Sequence, residues 1–383
     1  MPRNEIISLL SSLIEIDSSN AFLVPGSPGE RGVQLYMKDY LHQLGVEAVM
    51  EPVDGGYTNL AGCLKGAGGG KNITLYAHCD TVGYAAWKDR ALKPRVEDGR
   101  LYGLGSCDDK GHCVAILLVI KRLVEEGAAL RGDVNFCLVA DEEGESAGAF
   151  GYVRMHTPTA ALVYEPSPIH RVTTEHQGFG WVNIIVKGRA AHGCAPEQAI
   201  DSITRMAEII VRLQRHQREH FAKNPHPLNG ETVFHNSLIS GGSDFATYPA
   251  YCKLGIEIGT QPGETLDTRI NEIQAIFDEV RDIYPDLDAS IEVLLERSPF
   301  IGRGQDEIFA LYARELERVS GKKAERAGAN FWGDAQVFMD AGFPTIQVGA
   351  LGGEFHAIDE WISLDELEQI IDIAVGVIKA YCA

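Results

Sequence analysis

Several histidines and acids in this chain stand where they could hold divalent cations and move a proton. His78 directly follows the apolar run Ile73 to Ala77, Glu142 and Glu143 follow an apolar run ending at Ala140, and Glu165 follows Ala160 to Tyr164. Asp108 lies in the glycine-flanked turn Gly103-Leu-Gly-Ser-Cys-Asp-Asp-Lys-Gly111, where a carboxylate can bridge two cations. His356 lies in Gly352-Gly-Glu-Phe-His-Ala-Ile-Asp-Glu360, just after Thr345 to Val348. Imidazole and carboxylate are the ligands of zinc and its neighbours. Each signal is weak alone, because a histidine after a strand usually only hydrogen-bonds and adjacent acids usually mark a solvated turn. Their joint placement changes the reading, since burying the Glu142-Glu143 pair in a crevice without a cation would be costly.

The elements that must position these residues are legible as a pattern. From Lys71 onwards short apolar runs alternate with helical periodicity, the habit of an α/β domain with a mixed, largely parallel sheet flanked by helices. Residues 73–77, 134–140, 160–164 and 345–348 read as buried strands, and the turn at Asp108 opens a helix expected over 112–124. Open α/β sheets collect their sites at the carboxyl ends of strands. Three strands therefore deliver an imidazole or carboxylates to one edge, and His356 can reach the same edge.

Between Gly178 and about Leu295 the pattern becomes β-α-β-β-α-β, the ferredoxin-like order. Strands are expected at 181–186, 232–238, 251–258 and 289–294, with helices at 196–221 and 265–283. This segment reads as an insertion, giving a catalytic domain in two pieces, 1–177 and 296–383, around a second domain at 178–295. Gly66 to Gly70 is read as a flexible hairpin turn, because no Lys-Ser or Lys-Thr helix follows to make it a phosphate loop.

The 383 residues are 45% hydrophobic, enough for a sizeable core, and the net charge of −20 disfavours nucleic acid and anionic membrane as partners. The first 18 residues read as an amphipathic helix rather than a leader, and no apolar stretch is long enough to span a bilayer. A cytoplasmic location is expected. The eight cysteines (63, 79, 107, 113, 137, 194, 252, 382) form no C-x-x-C pair and read as free thiols, with Cys79 or Cys107 a minor alternative as a metal ligand.

The motifs carry a family resemblance. His78-Cys-Asp-Thr-Val, Trp87, Asp98-Gly-Arg-Leu-Tyr-Gly103 and Asp108-Asp-Lys-Gly resemble the co-catalytic zinc amidohydrolases and metallopeptidases. That family includes acetylornithine deacetylase, succinyl-diaminopimelate desuccinylase, aminoacylase-1, carboxypeptidase G, carnosinase and peptidase T. Ala140-Asp-Glu-Glu-Gly144, Tyr164-Glu-Pro-Ser167, Gly188-Arg-Ala-Ala-His192 and His356-Ala-Ile-Asp-Glu360 extend the likeness, in order, over essentially the whole chain.

The resemblance implies a zinc-peptidase-like catalytic domain carrying two divalent ions, zinc first, with cobalt or manganese as substitutes. His78 and Glu165 would bind one ion, Glu143 and His356 the other, and Asp108, rather than Asp109, would bridge them. Asp80 would orient the His78 imidazole, Glu142 would be the general base, and His192 would donate to the tetrahedral oxyanion. In relatives that histidine often serves a neighbouring subunit, which implies a homodimer joined through the inserted domain.

Two features stand outside the pattern. His216-Gln-Arg-Glu-His220 matches an H-x-x-E-H zinc motif but lies on a strongly charged helix, and it is read as a solvated face. The usual Asn and acidic-x-Arg of the substrate-carboxylate clamp are absent, with Ala246 and Glu257-Ile-Gly259 in their places, and Leu104 stands where relatives commonly have Arg. The leading expectation is hydrolysis of an N-acyl amino acid or similar small amide, with di- or tripeptidase activity as the alternative. A metal-binding scaffold without catalysis is the remote third reading.

Overall fold

Residues 73–77 are mostly apolar, with only Thr74 and the Tyr76 hydroxyl polar before His78, so they suit the middle of a sheet covered by helices on both sides. In the computed structural model, which describes residues 3–383, all six residues of the strand Ile73–His78 are buried. The chain forms two compact units. One comprises the chain up to Thr174 with Gly302–Arg326 and Gly333–Ala383, and the other comprises Glu175–Ile301 with Ala327–Trp332.

In the first unit the sheet runs, edge inwards, through Ala48–Pro52, Thr58–Leu64, Val134–Val139, Ile73–His78, Ala160–Tyr164 and Thr345–Val348. The last four are parallel neighbours and the first two are antiparallel, which makes the sheet mixed with a parallel centre. Parallel register sets the ends of these four strands on one edge, where His78, Glu142, Glu143 and Glu165 lie.

One sheet face packs Leu75, Ala77, Leu138, Leu162 and Ile346 into a core shared with the helices Arg3–Ile14, Lys110–Glu125 and Leu364–Tyr381. On the other face Tyr76 meets Phe338 edge-on at 5.1 Å, and Tyr152 and Phe343 close the same aromatic group. Burial of side chains this size contributes roughly 2–3 kcal/mol each relative to exposure, so the sheet edge stands on a rigid base.

The loop at Gly66 to Gly70 is not a hairpin. Its flanking strands, Thr58–Leu64 and Ile73–His78, are separated by Val134–Val139, and the loop carries the chain past that strand. A Cβ on Gly66 or Gly70 would sit 2.4 Å from the backbone of Gly132, so glycine is needed there for close approach rather than for freedom.

The second unit has the antiparallel sheet order Phe234–Gly241, Tyr251–Thr260, Gly178–Lys187, Asp288–Arg297. With the helices Ser202–His216 and Leu266–Arg281 this is the β-α-β-β-α-β order, the helices covering one sheet face through Met206, Ile209, Leu213, Ile273 and Phe277. The helix expected over 196–221 is shorter. Pro196–Gln198 is a separate turn, and the helix begins at Ser202 because the Asp201 carboxylate accepts from the Ile203 and Thr204 N–H groups as an N-cap. The expected strand 232–238 instead spans Phe234–Gly241. Among the described residues no helix is long and apolar enough to cross a membrane, and all eight cysteines are free.

Candidate functional site

Two groups of side chains at the sheet edge each bring their ligand atoms within 4.8 Å of one another: His78, Asp108 and Glu165, and Asp108, Glu143 and His356. Asp108 belongs to both. Its Oδ1 lies 3.0 Å from His78 Nε2 and its Oδ2 lies 3.2 Å from His356 Nε2, while His356 Nε2 is also 3.0 Å from Glu143 Oε1. No grouping among the described residues includes a cysteine or the His216 to His220 segment. His216 instead pairs with Glu272 at 3.2 Å and stacks on His220.

Asp109 does a different job. Its carboxylate accepts from His112 Nδ1 and from the backbone N–H of His78, and His112 Nε2 in turn accepts from the Ala350 N–H at 2.9 Å. The neighbour of Asp108 thus ties the helix start to two strand ends. His78 donates from Nδ1 to the main-chain carbonyl of Asp80 at 3.1 Å, closer than the Asp80 carboxylate at 3.6 Å, which leaves Nε2 facing Asp108.

The Asp80 carboxylate is spent mainly on the end of the neighbouring parallel strand. It accepts from the backbone N–H groups of Glu142 and Glu143 at 3.2 and 3.1 Å and from Asn20 Nδ2 at 2.8 Å. Asn20 Nδ2 also reaches Asp141 Oδ1 at 3.0 Å, so one carboxamide separates two buried acids. Sequence reasoning missed Asn20, because nothing near Asp17-Ser-Ser-Asn20 announces partners far along the chain. It also missed Asp334, fully buried on the Tyr76 hydroxyl.

The site crowds buried carboxylates around two histidines. Burial pushes Glu142 well above the usual carboxylate range, and the Glu165 charge adds to it. Burial also raises Glu165 and Glu143. Burial opposes charging His356, but its bonds to Asp108 and Glu143 outweigh this and carry its pKa up to about 11. Glu165 Oε1 is buried with no hydrogen-bond partner. Oxygen and imidazole donors in two adjoining groups, repelling carboxylates and an orphaned carboxylate oxygen fit a pair of divalent cations.

The backbone around these residues is unusual. Asp141, Ser146, Glu354, His356 and Asp359 have φ between 55° and 66°, in the left-handed region that non-glycine residues seldom adopt. Gly349 must be glycine for another reason, as a Cβ there would lie 1.9 Å from the Glu165 carbonyl oxygen.

A model of peptidase family M20/M25/M40 matches residues 74–380, a span that holds every one of these side chains except Asn20. The chain belongs to that family. Acetylornithine deacetylase of Photorhabdus laumondii subsp. laumondii is 26% identical over 386 residues, covering 98% of this chain and 94% of that protein. The aminopeptidase PepT of Bacillus cereus superposes with a TM-score of 0.81 at 20% identity over all of both chains. A dinuclear metal-binding M20 peptidase of Bacillus subtilis does so at 0.73 and 15% identity, over 99% of this chain and 98% of that one. Members of the M20 family are metal-dependent hydrolases of amide and peptide bonds, and this chain is such an enzyme.

His192 lies on the second unit in the two-residue strand Ala191–His192, paired with Thr247–Tyr248 and exposed. Its Nδ1 accepts from the backbone N–H of Cys194 at 3.2 Å, so the neutral ring carries its proton on Nε2. The positions that the absent clamp would occupy, Ala246 and Glu257-Ile-Gly259, lie in the same unit. A Cβ on Gly259 would meet Gln177 Oε1 at 2.4 Å, so the Gln177 amide fills the space an arginine stem would need. Arg269 lies nearby, donating to the Gly259 carbonyl, but its guanidinium is held by Glu264 and Glu272. Leu104 is 1% exposed and packs with Trp87 and Ala91, an apolar role in which arginine would not fit.

Glu30, 5% exposed, is pushed up to about 7 by burial, with the charges of Asp80 and Asp141 adding to it. A carboxyl whose folded pKa exceeds its unfolded value holds its proton longer in the folded state, so stability falls as pH rises from about 4.5 to about 7. Glu30→Gln should therefore match the wild type near pH 4.5 and gain up to roughly 3 kcal/mol above pH 7. Thermal melts of both metal-free proteins across this range test it, and a gap that does not widen with pH contradicts it.

Proposed function

We propose that this enzyme removes the acyl group from an N-acyl amino acid or a similar small amide, using two divalent cations. His78 and Glu165 would hold one, Glu143 and His356 the other, and Asp108 both, with zinc the best match to the mixed imidazole and carboxylate donors. The observation that carries this reading is the pair of donor groups sharing Asp108 beside a carboxylate, Glu142, that belongs to neither. Bound there, the cations would polarise a substrate carbonyl and make water more acidic.

The protein's own side chains supply the rest. Glu142 accepts the proton of the attacking water and passes it to the leaving amine. Asp80 fixes the backbone of Glu142 and Glu143 through two N–H bonds, so base and ligand keep a constant separation. His192 donates from Nε2 to the oxyanion, a contact worth on the order of 3 kcal/mol in comparable sites.

Acyl-amino-acid chemistry is favoured by the 26% identity with an acetylornithine deacetylase over nearly the full length of both chains. Cleavage of short peptides is the second reading, favoured by the fold shared with an aminopeptidase. The test is a substrate panel on zinc- and cobalt-loaded protein. Acetate release from N-acetyl amino acids supports the first reading, release of free amino acids from di- or tripeptides supports the second, and cleavage of neither class defeats both.

A homodimer through the inserted unit is part of the proposal. Phe234–Gly241 is an edge strand that pairs on one side only and exposes Leu238 and Ile239 at 74% and 62%, the kind of edge that invites a second copy. Sedimentation should show a dimer at micromolar concentration that Leu238→Lys with Ile239→Lys turns into monomer. A monomeric wild type, or a double variant that stays dimeric, contradicts this.

A further inference from the structure

We propose that Glu360 is a positioning residue that keeps the His356 segment in register with the Asp108 turn and thereby sets the affinity of the second cation, the one held by Asp108, Glu143 and His356. This inference rests on the two-cation reading above.

Glu360 is 2% exposed and makes no bond to either donor group through a side chain. Its Oε1 accepts from the backbone N–H groups of Cys107 and Asp108 at 2.7 and 3.0 Å, and its Oε2 accepts from that of Gly105 at 2.8 Å. Its own carbonyl accepts from the Gly103 N–H at 3.0 Å. One residue thus answers four backbone donors of a buried turn, donors that would otherwise lack partners.

A carboxylate is required because both oxygens are in use and every partner is a donor. Glutamine has a single oxygen and would turn its NH2 towards the N–H of either Gly105 or the Cys107–Asp108 pair. The Lys110 ammonium does not substitute, since it donates to the Ile16 carbonyl.

The consequence for the site is asymmetric. His78 and Glu165 stand at the ends of buried central strands and are placed without help from residues 352–360. His356 stands in a turned segment, its side chain 51% exposed and its φ at 59°, so little packing holds it. Four residues on, Glu360 is bonded directly to the N–H of Asp108. Releasing that bond lets the His356 segment and the Asp108 turn move independently, which loosens the second group while the first keeps its two strand-borne ligands.

The test is a zinc titration of metal-free wild type, Glu360→Gln and Glu360→Asp against a chromophoric chelator, repeated with cobalt to follow its visible absorption, alongside thermal melts of the metal-free proteins. The wild type should bind two equivalents. Glu360→Gln should bind one with affinity within about threefold of wild type and the other about tenfold to a hundredfold more weakly, the usual loss on removing a partner that orients a ligand. Glu360→Asp retains the charge but not the reach and should show the same asymmetry more mildly, which decides the matter if Glu360→Gln does not fold.

A purely structural role would lower the melting temperature and leave both affinities of the folded protein unchanged, and that result overturns the proposal. Equal weakening of both equivalents overturns it as well. A wild type that binds one equivalent or none would instead bring down the two-cation reading and this inference with it.

Discussion

Glu142→Gln is expected to lower kcat on the order of a thousandfold while both cations remain bound. Glu142 belongs to neither donor group, so its carboxylate is free to accept a proton, whereas its backbone N–H is engaged with Asp80 at 3.2 Å. Glutamine keeps the shape and the backbone bond but has no basic lone pair of comparable strength. Loss of a general base costs roughly 10² to 10⁴ in rate, and a thousandfold corresponds to about 4 kcal/mol of barrier. Removing a buried negative charge beside Glu165 relieves repulsion, so the variant's melting temperature should not fall. Metal analysis by mass spectrometry and steady-state kinetics check both halves. Turnover within tenfold of wild type would remove Glu142 from its role, and loss of metal would make it a ligand instead.

Asp108→Asn should have a comparably large effect by a different route, reducing bound zinc from two equivalents to one or fewer and abolishing measurable turnover. The two Asp108 oxygens face different histidines, His78 at 3.0 Å and His356 at 3.2 Å. A carboxamide offers one acceptor oxygen and presents an NH2 group to the other side, so it can serve one donor group and opposes the other. Asp109→Asn is the informative comparison. Asp109 accepts from His112 and from the His78 backbone rather than facing both histidine rings, so that variant should lose stability yet bind two equivalents wherever it folds. Two equivalents in Asp108→Asn, or their loss in Asp109→Asn with Asp108→Asn unaffected, would reverse the roles of the two neighbours.

How far this site is legible in the sequence depends on the range of the interactions that build it. The strands ending at His78, Val139, Tyr164 and Val348 are readable because burial on both faces leaves a short run that is mostly apolar, and a parallel sheet then gathers the residues after each run at one edge. The order of strands is not readable, which is why the Gly66 to Gly70 loop resembles a hairpin turn in the sequence. The start of the helix at Ser202 is easily misplaced because Pro196 and Asp201 are both good helix-opening residues and the choice between them is made by the Asp201 cap.

The supporting residues are the least visible. Asn20 bonds partners 60 and 121 positions away, and Glu360 bonds a turn about 250 positions earlier. Glu360 stands inside a motif that draws attention for its histidine, His356-Ala-Ile-Asp-Glu360, but only the geometry gives it work. Substrate preference lies in the same category, since the place of the missing clamp is filled by a Gln177 amide that comes from a different part of the chain.

In the proposed site two cations sit at this sheet edge and share Asp108. Anomalous diffraction at the zinc absorption edge, from crystals of the zinc-loaded protein, tests this most directly. Two anomalous peaks are expected, one among His78, Asp108 and Glu165 and the other among Asp108, Glu143 and His356. A single peak, or zinc held by residues outside these two groups, would contradict the proposed site.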